Sequence, residues 1–263
     1  MLNSRKNYDY TCEEIAQALR DAGISQGDDI FIYSNIGFFG RLKDARSPKD
    51  HYEIFKQAIF SVIKESGTVV VPTFTYSFCW DQVFDVNNTP GVGGFLSESV
   101  RLDPRSIRSG DANFSVAAMG RNAEFYTTST PENSFGPDSF WERFLECDGK
   151  FCNFNFDSGS TFVHYVERVL NVPYRFDKRF DGTAIIDHKR VRKSFFHFVY
   201  DLDKPQNAPN FAKLDKLAKE LGLARVSNLG RGQVVVISAK STYDLIETYI
   251  KKDPTLLIQE NKT

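Results

Sequence analysis

The run Asp29-Ile-Phe-Ile-Tyr-Ser34 decides the fold of this chain. It is short, apolar and bounded by turn signals, which is typical of a strand buried inside a sheet. A capping box at Thr11 begins an amphipathic helix before it, and Pro48 begins another helix after it. The β-branched run at residues 68–72 then predicts a second strand. This order of helix, strand, helix and strand predicts an α/β fold, with a central sheet flanked by helices.

The rest of the chain continues this alternation and then changes. Apolar periodicity predicts strands at residues 114–119, 150–154 and 233–238, and helices at residues 95–102, 160–170, 212–221 and 242–250. Residues 183–187 and 192–200 predict antiparallel strands around a polar turn. We therefore expect a mixed sheet in a single domain of residues 1–263, within which residues 175–205 are a candidate antiparallel subregion.

Composition and charge exclude several classes of protein. The chain has 33 basic and 34 acidic side chains, and 41% of its residues are hydrophobic, which is ordinary for a globular protein. This balance argues against a disordered protein and against a general nucleic-acid binder. No apolar run approaches the roughly 18 residues of a membrane span, and the first residues lack the apolar region of a signal peptide. The four cysteines have neither zinc-site nor disulfide-scaffold spacing, so we expect a cytoplasmic protein.

Aromatic residues are unusually frequent, with 24 Phe and 11 Tyr. Such rings either fill a core or line a site for sugar and adenine rings, and their number does not separate the two. Residues 77–94 form a long, aromatic and turn-rich segment. A loop of that length predicts either a functional segment or a mobile one.

A histidine within a predicted helix is the first candidate for chemistry. Thr161 lies three residues before His164 and Glu167 three residues after it, so the three share one helix face. A carboxylate beside an imidazole fixes its tautomer and raises its basicity, which suits a general base. The alternative is a structural histidine in an ion pair, and the spacing alone leaves both open.

Two polar segments lie beside predicted strands. Residues 108–120 place polar groups before a strand of small residues, where a ligand can approach the backbone. Residues 33–40 place hydroxyl and amide groups at a strand end, and strand ends of α/β sheets bind ligands. Ordinary turn chemistry is the alternative for each segment taken alone.

The other histidines and the common catalytic motifs indicate no further site. His51, His188 and His197 are interpreted as solvated or packed residues. No set of His, Cys and Asp has metal-ligand spacing, so we expect no catalytic metal. The sequence also lacks a phosphate-binding P-loop, a dinucleotide fingerprint and a nucleophile elbow.

Taken together, five segments resemble one known family. The motif Thr161-Phe-Val-His-Tyr-Val-Glu167 and the segments 29–36, 67–75, 108–120 and 139–141 occur in the order seen in the aminoglycoside 3-N-acetyltransferase family. Residues 230–236 resemble the last strand of that family, and the resemblance covers roughly residues 10–250. It implies the α/β antibiotic N-acetyltransferase fold, which is distinct from the commoner small acetyltransferase fold.

The resemblance also implies an activity and a set of site residues. It implies an N-acyltransferase that uses acetyl-coenzyme A, or a similar acyl-coenzyme A, as co-substrate. His164 would be the general base for the attacking amine, Glu167 would orient it, and Thr161 would lie beside the thioester carbonyl. The early strands resemble the coenzyme side of the family, which gives four candidate coenzyme contacts: Ser34, Asn35, Thr73 and Ser115.

Two departures from the family pattern bear on the acceptor. Antibiotic-modifying members usually carry His-Pro where this chain has Asp111-Ala112, and His-Ser-Ser where it has Tyr33-Ser34-Asn35. Enzymes that hold polycationic aminoglycosides tend to present an acidic cleft, whereas this chain is nearly neutral. Residues 175–193 hold seven Lys and Arg against three Asp. This excess of positive charge indicates either a binding surface for phosphate groups or a solvated face of a hairpin.

We therefore expect a small-molecule acceptor, with no nucleic-acid or membrane partner. The expected acceptor is an amino-dideoxy sugar on a nucleotide carrier, used in surface-polysaccharide synthesis, and the candidate acceptor contacts are Asp111, Trp80 and Tyr76. One alternative is an aminoglycoside 3-N-acetyltransferase that confers antibiotic resistance. Another is a non-catalytic carbohydrate-binding relative that uses residues 77–94. A hydrolase with Ser115 as nucleophile is disfavoured, because no nucleophile elbow surrounds it.

Overall fold

The computed structural model describes residues 7–259, in which strands and helices alternate. The strands are β1 Asp29–Ser34, β2 Thr68–Pro72, β3 Phe84–Asp85, β4 Ile107–Arg108, β5 Val116–Gly120, β6 Lys150–Phe154, β7 Arg175–Ile186, β8 Lys189–Tyr200, β9 Arg225–Leu229 and β10 Gly232–Ser238. The α-helices are α1 Cys12–Asp21, α2 Pro48–Ile63, α3 Gly94–Arg101, α4 Ala123–Thr127, α5 Phe140–Glu146, α6 Phe162–Val169, α7 Ala212–Glu220 and α8 Ala239–Ile250. Short 3₁₀ helices lie at Ile36–Phe39, Ser77–Trp80 and Pro205–Asn207.

A seven-stranded mixed sheet forms the centre of the molecule, in the order β4-β5-β2-β1-β6-β10-β9. Strand β1 lies parallel to both β2 and β6, while the outer pairs β2–β5 and β6–β10 are antiparallel. The run that was expected to decide the fold therefore lies in the middle of the sheet. The expected α/β class, with a mixed sheet between helices, is confirmed.

The two faces of the sheet bury two different cores, because successive side chains of a strand point to opposite sides. Ile30 and Ile32 face the core under α1, α2 and α3. Phe31 faces the core under the later helices, where its ring lies 5.4 Å from Trp141 and 6.0 Å from Phe151. Many of the aromatic residues that the composition singled out are therefore core residues on this second face.

Local signals place most helix and strand boundaries where the sequence predicts them. The Thr11 hydroxyl accepts a hydrogen bond from the Glu14 N–H at 3.2 Å, and Pro48 is the first residue of α2. The predicted strand at 114–119 begins only at Val116, because the preceding residues form a tight polar turn around Asp111. Helices α4 and α5 and strand β9 are short and were not predicted.

A long hairpin forms the second sheet. Strands β7 and β8 pair over their full lengths, from Arg175 opposite Tyr200 to Ile186 opposite Lys189, and β3 joins β7 in parallel. Asp187 and His188 form the turn, both with left-handed φ values, of 48° and 61°. This turn geometry matches the twist of the two strands. The hairpin brings Arg175, at one end of β7, against helix α6.

Two absences concern residues 7–259 only. Within that range no helix is both long and apolar enough to cross a membrane. The same residues contain no group of three or more His, Cys, Asp or Glu side chains arranged to hold a metal ion.

Candidate active site

Helix α6 positions the histidine that the sequence selected. Its apolar residues Phe162, Val163 and Val166 are buried, which leaves His164 at the edge of the core with 18% of its side chain exposed. His164 Nδ1 lies 2.7 Å from Glu167 Oε2. A carboxylate only accepts hydrogen bonds, so Nδ1 carries the proton and Nε2 keeps its lone pair. An imidazole held in this tautomer can accept a proton at Nε2.

A buried ion pair fixes the charge of Glu167. Its carboxylate has no exposed surface, and Arg175 Nε lies 2.6 Å from the same Oε2 atom that faces His164. Burial opposes ionisation of Glu167, but the hydrogen bond with His164 and the positive charge of Arg175 outweigh it and lower its pKa. Glu167 is therefore an anion that bridges the imidazole and the guanidinium.

Arg175 belongs to the site although sequence reasoning treated it only as part of the basic segment 175–193. Its side chain is 2% exposed, and its position at the start of β7 is set by the pairing of the hairpin. The sequence does not predict this contact, because a single arginine at the start of a strand carries no pattern that links it to the preceding helix. The remaining charges of the hairpin are partly paired on its surface, for example Arg179 with Asp181 at 2.8 Å.

Thr161 is held by a tyrosine from the central strand. The Tyr33 phenol donates a hydrogen bond to Thr161 Oγ1 at 2.7 Å, and the Thr161 N–H donates to the Tyr33 oxygen at 3.1 Å. Burial raises the pKa of Tyr33, so the phenol remains a donor. Because Thr161 Oγ1 accepts from Tyr33, its own hydroxyl hydrogen is free to donate to another group. The sequence placed Tyr33 in a polar strand-end segment but did not select it individually.

Two cavities lie near His164, which lines the first of them. The first, the aromatic cavity, has a volume of about 480 Å³ and is lined by His164 and by the rings of Tyr76, Phe114, Phe135, Phe180, Phe198 and Tyr200. The second, the Thr161 cavity, has a volume of about 530 Å³ and is lined by residues that include Tyr33, Phe156, Ser160, Thr161 and Phe211.

The imidazole of His164 contacts a ring from each cavity. Its ring centroid lies 5.9 Å from that of Phe135, in the aromatic cavity, and 5.9 Å from that of Phe211, in the Thr161 cavity. Pro209 lines both cavities. The two cavities are therefore neighbours, with His164 lining the aromatic cavity and its ring near Phe211 of the Thr161 cavity.

The four candidate coenzyme contacts separate into two pairs. Ser34 and Asn35 are half-buried at the end of β1, directly after Tyr33, and the Asn35 carbonyl accepts a hydrogen bond from Asn155. Thr73 and Ser115 have no exposed surface. Arg108 Nε donates to both of their hydroxyl oxygens, at 3.1 and 3.2 Å. In this structure both hydroxyls lie buried against Arg108 and neither reaches an open surface.

Of the three candidate acceptor contacts, only Tyr76 lines the aromatic cavity. Trp80 is 70% exposed and lines neither cavity. Asp111 is buried, and its carboxylate accepts hydrogen bonds from the N–H groups of Asn113 and Phe114 and from the Ser134 hydroxyl. Trp80 thus projects to solvent, and Asp111 anchors a turn.

His197 is a wall residue of the aromatic cavity that the sequence did not select. Its Nε2 lies 3.0 Å from Asn113 Nδ2, so it accepts a hydrogen bond from that amide. Burial lowers its pKa to about 4, which makes it neutral at physiological pH. Cys79 lies beside it, with Sγ 4.0 Å from His197 Nδ1, and burial raises the pKa of that thiol to about 11. Neither side chain adds charge to the cavity.

Known proteins share this architecture. A family model described as aminoglycoside 3-N-acetyltransferase matches residues 43–251. Aminoglycoside N(3)-acetyltransferase VII from Streptomyces paromomycinus is 21% identical and aligns over 92% of both chains. The structure of AAC-IIIb in a binary complex with CoASH superposes with a TM-score of 0.79 at 21% identity, covering 96% of this chain and 99% of that one. AAC-VIa bound to sisomicin superposes with a TM-score of 0.76 at 20% identity, covering 92% and 98% of the two chains.

Proposed function

This chain belongs to the aminoglycoside 3-N-acetyltransferase family and is an N-acetyltransferase, and we propose that it transfers the acetyl group of acetyl-coenzyme A to a primary amine of an amino sugar. The observation that supports this proposal most strongly is His164. Its Nδ1–H is held by the buried Glu167 anion, which leaves Nε2 as the proton acceptor, and its side chain lines the aromatic cavity next to the Thr161 cavity. We propose residues 1–263 as a single transferase domain.

In the proposed reaction the amine attacks the thioester carbonyl directly. A C–N bond forms, the C–S bond breaks, and no acyl group is attached to the protein. His164 Nε2 takes the proton that the amine loses, and that proton then neutralises the departing thiolate. Glu167 stabilises the imidazolium that forms in between, because it is already ionised and lies 2.7 Å from Nδ1.

Thr161 suits the oxygen that becomes negative during this attack. Its hydroxyl hydrogen is free because Tyr33 donates to Thr161 Oγ1 at 2.7 Å. A hydrogen-bond donor fixed before the reaction stabilises a developing oxyanion without reorganising. We propose that Thr161 donates to the thioester oxygen and that Tyr33 positions it.

We assign the Thr161 cavity to the coenzyme and the aromatic cavity to the acceptor. The Thr161 cavity contains the proposed oxyanion donor, and Tyr33 links it to Ser34 and Asn35 at the end of β1. Ser34 and Asn35 therefore remain the proposed contacts for the coenzyme. Tyr76 remains the proposed acceptor contact, because it lines the aromatic cavity.

For the acceptor, the family favours the aminoglycoside alternative over the nucleotide-linked amino sugar expected from the charge pattern. The matching family model and the Streptomyces relative are both named for aminoglycoside acetylation. We propose an acceptor amine of the aminoglycoside type.

The test is release of free thiol from acetyl-coenzyme A in the presence of single amines. The panel contains an aminoglycoside, a single-amine sugar and a nucleotide-linked amino sugar. Thiol release with any of them, and a product heavier by one acetyl group, supports the transferase function. Binding of an amino sugar without any binding of coenzyme A, measured by calorimetry, would instead support a carbohydrate-binding relative.

A further inference from the structure

Two buried polar atoms beside the candidate base lack hydrogen-bond partners. Glu167 Oε2 faces His164 and Arg175, whereas the second carboxylate oxygen, Oε1, is buried and makes no hydrogen bond within residues 7–259. The Tyr174 hydroxyl is buried without a hydrogen bond in the same range. A buried polar group that stays unpaired costs free energy, because it has lost its contact with water. A carboxylate oxygen accepts and a phenol donates, so each atom can satisfy the other.

Tyr174 lies beside Glu167 in the folded chain. It immediately precedes Arg175, the first residue of β7, and packs against the core of the later helices. Burial raises the pKa of the Tyr174 phenol, and the negative charge of Glu167 raises it further. The phenol is therefore protonated and able to donate. The other charged groups at Glu167 are His164, on the same helix, and Arg175, and both contact Oε2. Oε1 is left for Tyr174.

We propose that the Tyr174 hydroxyl donates a hydrogen bond to Glu167 Oε1 and that Tyr174 is a positioning residue for His164. The bond forms through rotation of the hydroxyl and a slight shift of either side chain. Three donors then hold the carboxylate, with the imidazole and the guanidinium on Oε2 and the phenol on Oε1. Its plane is fixed, and Oε2 stays directed at His164 Nδ1. Tyr174 lines neither cavity, so it acts through Glu167 and touches no substrate.

The direct test follows the titration of the Glu167 carboxyl by 13C NMR, with the full chain labelled at its glutamate carboxyl carbons. The resonance is assigned by its absence in Glu167→Gln. A hydrogen bond to the charged form of a carboxyl favours that form. Tyr174→Phe is therefore expected to move the titration midpoint of Glu167 upward by about one pH unit. This measurement does not depend on turnover.

Tyr165→Phe is the matched control. Tyr165 is a buried tyrosine of α6, and its phenol donates to the Glu142 carboxylate at 3.4 Å. The same substitution there removes a bond between a phenol and a different carboxylate. We expect the titration midpoint of Glu167 to stay unchanged in Tyr165→Phe.

Kinetics separate positioning from substrate binding, and this part of the inference rests on the proposed transferase function. Tyr174→Phe should lower kcat by about fivefold to tenfold, because the Glu167 carboxylate then holds His164 less firmly. KM for acetyl-coenzyme A and for the acceptor should stay within about twofold of wild type, since Tyr174 lines neither cavity.

A second variant serves if Tyr174→Phe does not fold. Replacement of Tyr174 by 3-fluorotyrosine keeps the ring and makes its hydroxyl a stronger donor. The titration midpoint of Glu167 should then move downward, opposite to the change in Tyr174→Phe.

An unmoved midpoint in folded Tyr174→Phe, or in the fluorinated variant, would overturn the inference. An equal movement in Tyr165→Phe would do the same, because the effect would not be specific to Oε1. A moved midpoint with unchanged kcat would show a contact that positions nothing and would also overturn it. If the midpoint moves as expected but the wild type releases thiol with no amine, the contact is supported and the proposed transferase function fails instead.

Discussion

At the residue scale, Glu167 links His164 to Arg175 in the candidate active site. One carboxylate oxygen, Oε2 of Glu167, faces both the imidazole at 2.7 Å and the guanidinium at 2.6 Å. Burying a lone carboxylate is costly, so the anion is tolerated because both neighbours favour it. The tautomer of His164 thus depends on Arg175, a residue that does not itself exchange a proton with the substrate.

Replacement of Arg175 tests that dependence. Arg175→Met removes a charge that lowers the pKa of Glu167, so we expect the acid limb of the kcat profile to move to higher pH. We also expect a loss of about 3 kcal/mol in unfolding free energy at neutral pH, since a buried anion loses a partner. Arg175→Lys retains the charge and should recover part of both effects. Unchanged pH profiles and stability in Arg175→Met would contradict the positioning role.

The sign of the pH effect follows from the lowered pKa of Glu167. A carboxyl whose pKa is lower in the folded protein stabilises the fold above its ordinary range, and this contribution is lost as pH falls through the lowered value. The stability difference between wild type and Arg175→Met should therefore be largest at neutral pH. It should shrink as the solution is acidified through the carboxyl range.

At the scale of elements, Arg108 joins a loop to the central sheet. Its guanidinium donates to the carbonyls of Val86 and Thr89 and to that of Thr73 at the end of the buried strand β2. Arg108 thus adds a side-chain link between the predicted mobile or functional segment 77–94 and the central sheet, beside the pairing of β3 with β7. Residues around it, including Tyr76 and Cys79, line the aromatic cavity.

Loss of this arginine is expected to destabilise the fold. Arg108→Met leaves several buried acceptors without a donor, and we expect about 2–4 kcal/mol less unfolding free energy in urea. The matched control is Arg105→Met, because the Arg105 side chain is largely exposed and contacts Asp103, Met119 and the Phe60 ring rather than buried carbonyls. If both variants lost a similar and small amount of unfolding free energy, Arg108 would not stabilise the link between the loop and the sheet.

The sequence predicted the elements whose signal is local. Strands β1 and β2 are continuous apolar runs, and α2 carries its stripe from Tyr52 to Ile63, so their burial is visible in composition alone. Strand β7 begins eight residues earlier than the predicted 183, because its charged side chains face solvent and mask the alternation. Helix α4 has five residues, which is too short for a periodic pattern.

The residues of the candidate site also divide into those with a local sequence signal and those without one. Thr161, His164 and Glu167 follow one another at intervals of three residues, so their spacing and the family resemblance bring them together. Arg175, Tyr33 and His197 reach the site through strand pairing and sheet order, which one sequence does not encode locally. Asp111, Thr73 and Ser115 are polar residues whose partners are other buried polar groups, and a sequence pattern does not distinguish these from ligand contacts.

At the scale of the whole molecule, we assign the Thr161 cavity to the coenzyme and the aromatic cavity to the acceptor. Phe211→Ala, in the Thr161 cavity, should raise KM for acetyl-coenzyme A by about fivefold to tenfold, the effect of losing roughly 1 kcal/mol of ring contact. Phe180→Ala, in the aromatic cavity, should raise KM for the acceptor instead. Initial rates with each substrate varied separately measure both values. If Phe211→Ala instead raised KM for the acceptor and Phe180→Ala raised KM for acetyl-coenzyme A, the assignment of the two cavities would be reversed.

The central claim is that His164 accepts the proton of the attacking amine, and single-turnover acetyl transfer by His164→Ala tests it most directly. His51→Ala is the control, because His51 lies on α2 at the opposite face of the sheet. With an intact fold by circular dichroism, we predict a loss of about 10² to 10⁴ in the rate of the chemical step for His164→Ala and none for His51→Ala. A rate within about threefold of wild type in folded His164→Ala, far below the loss expected for a general base, would contradict the account.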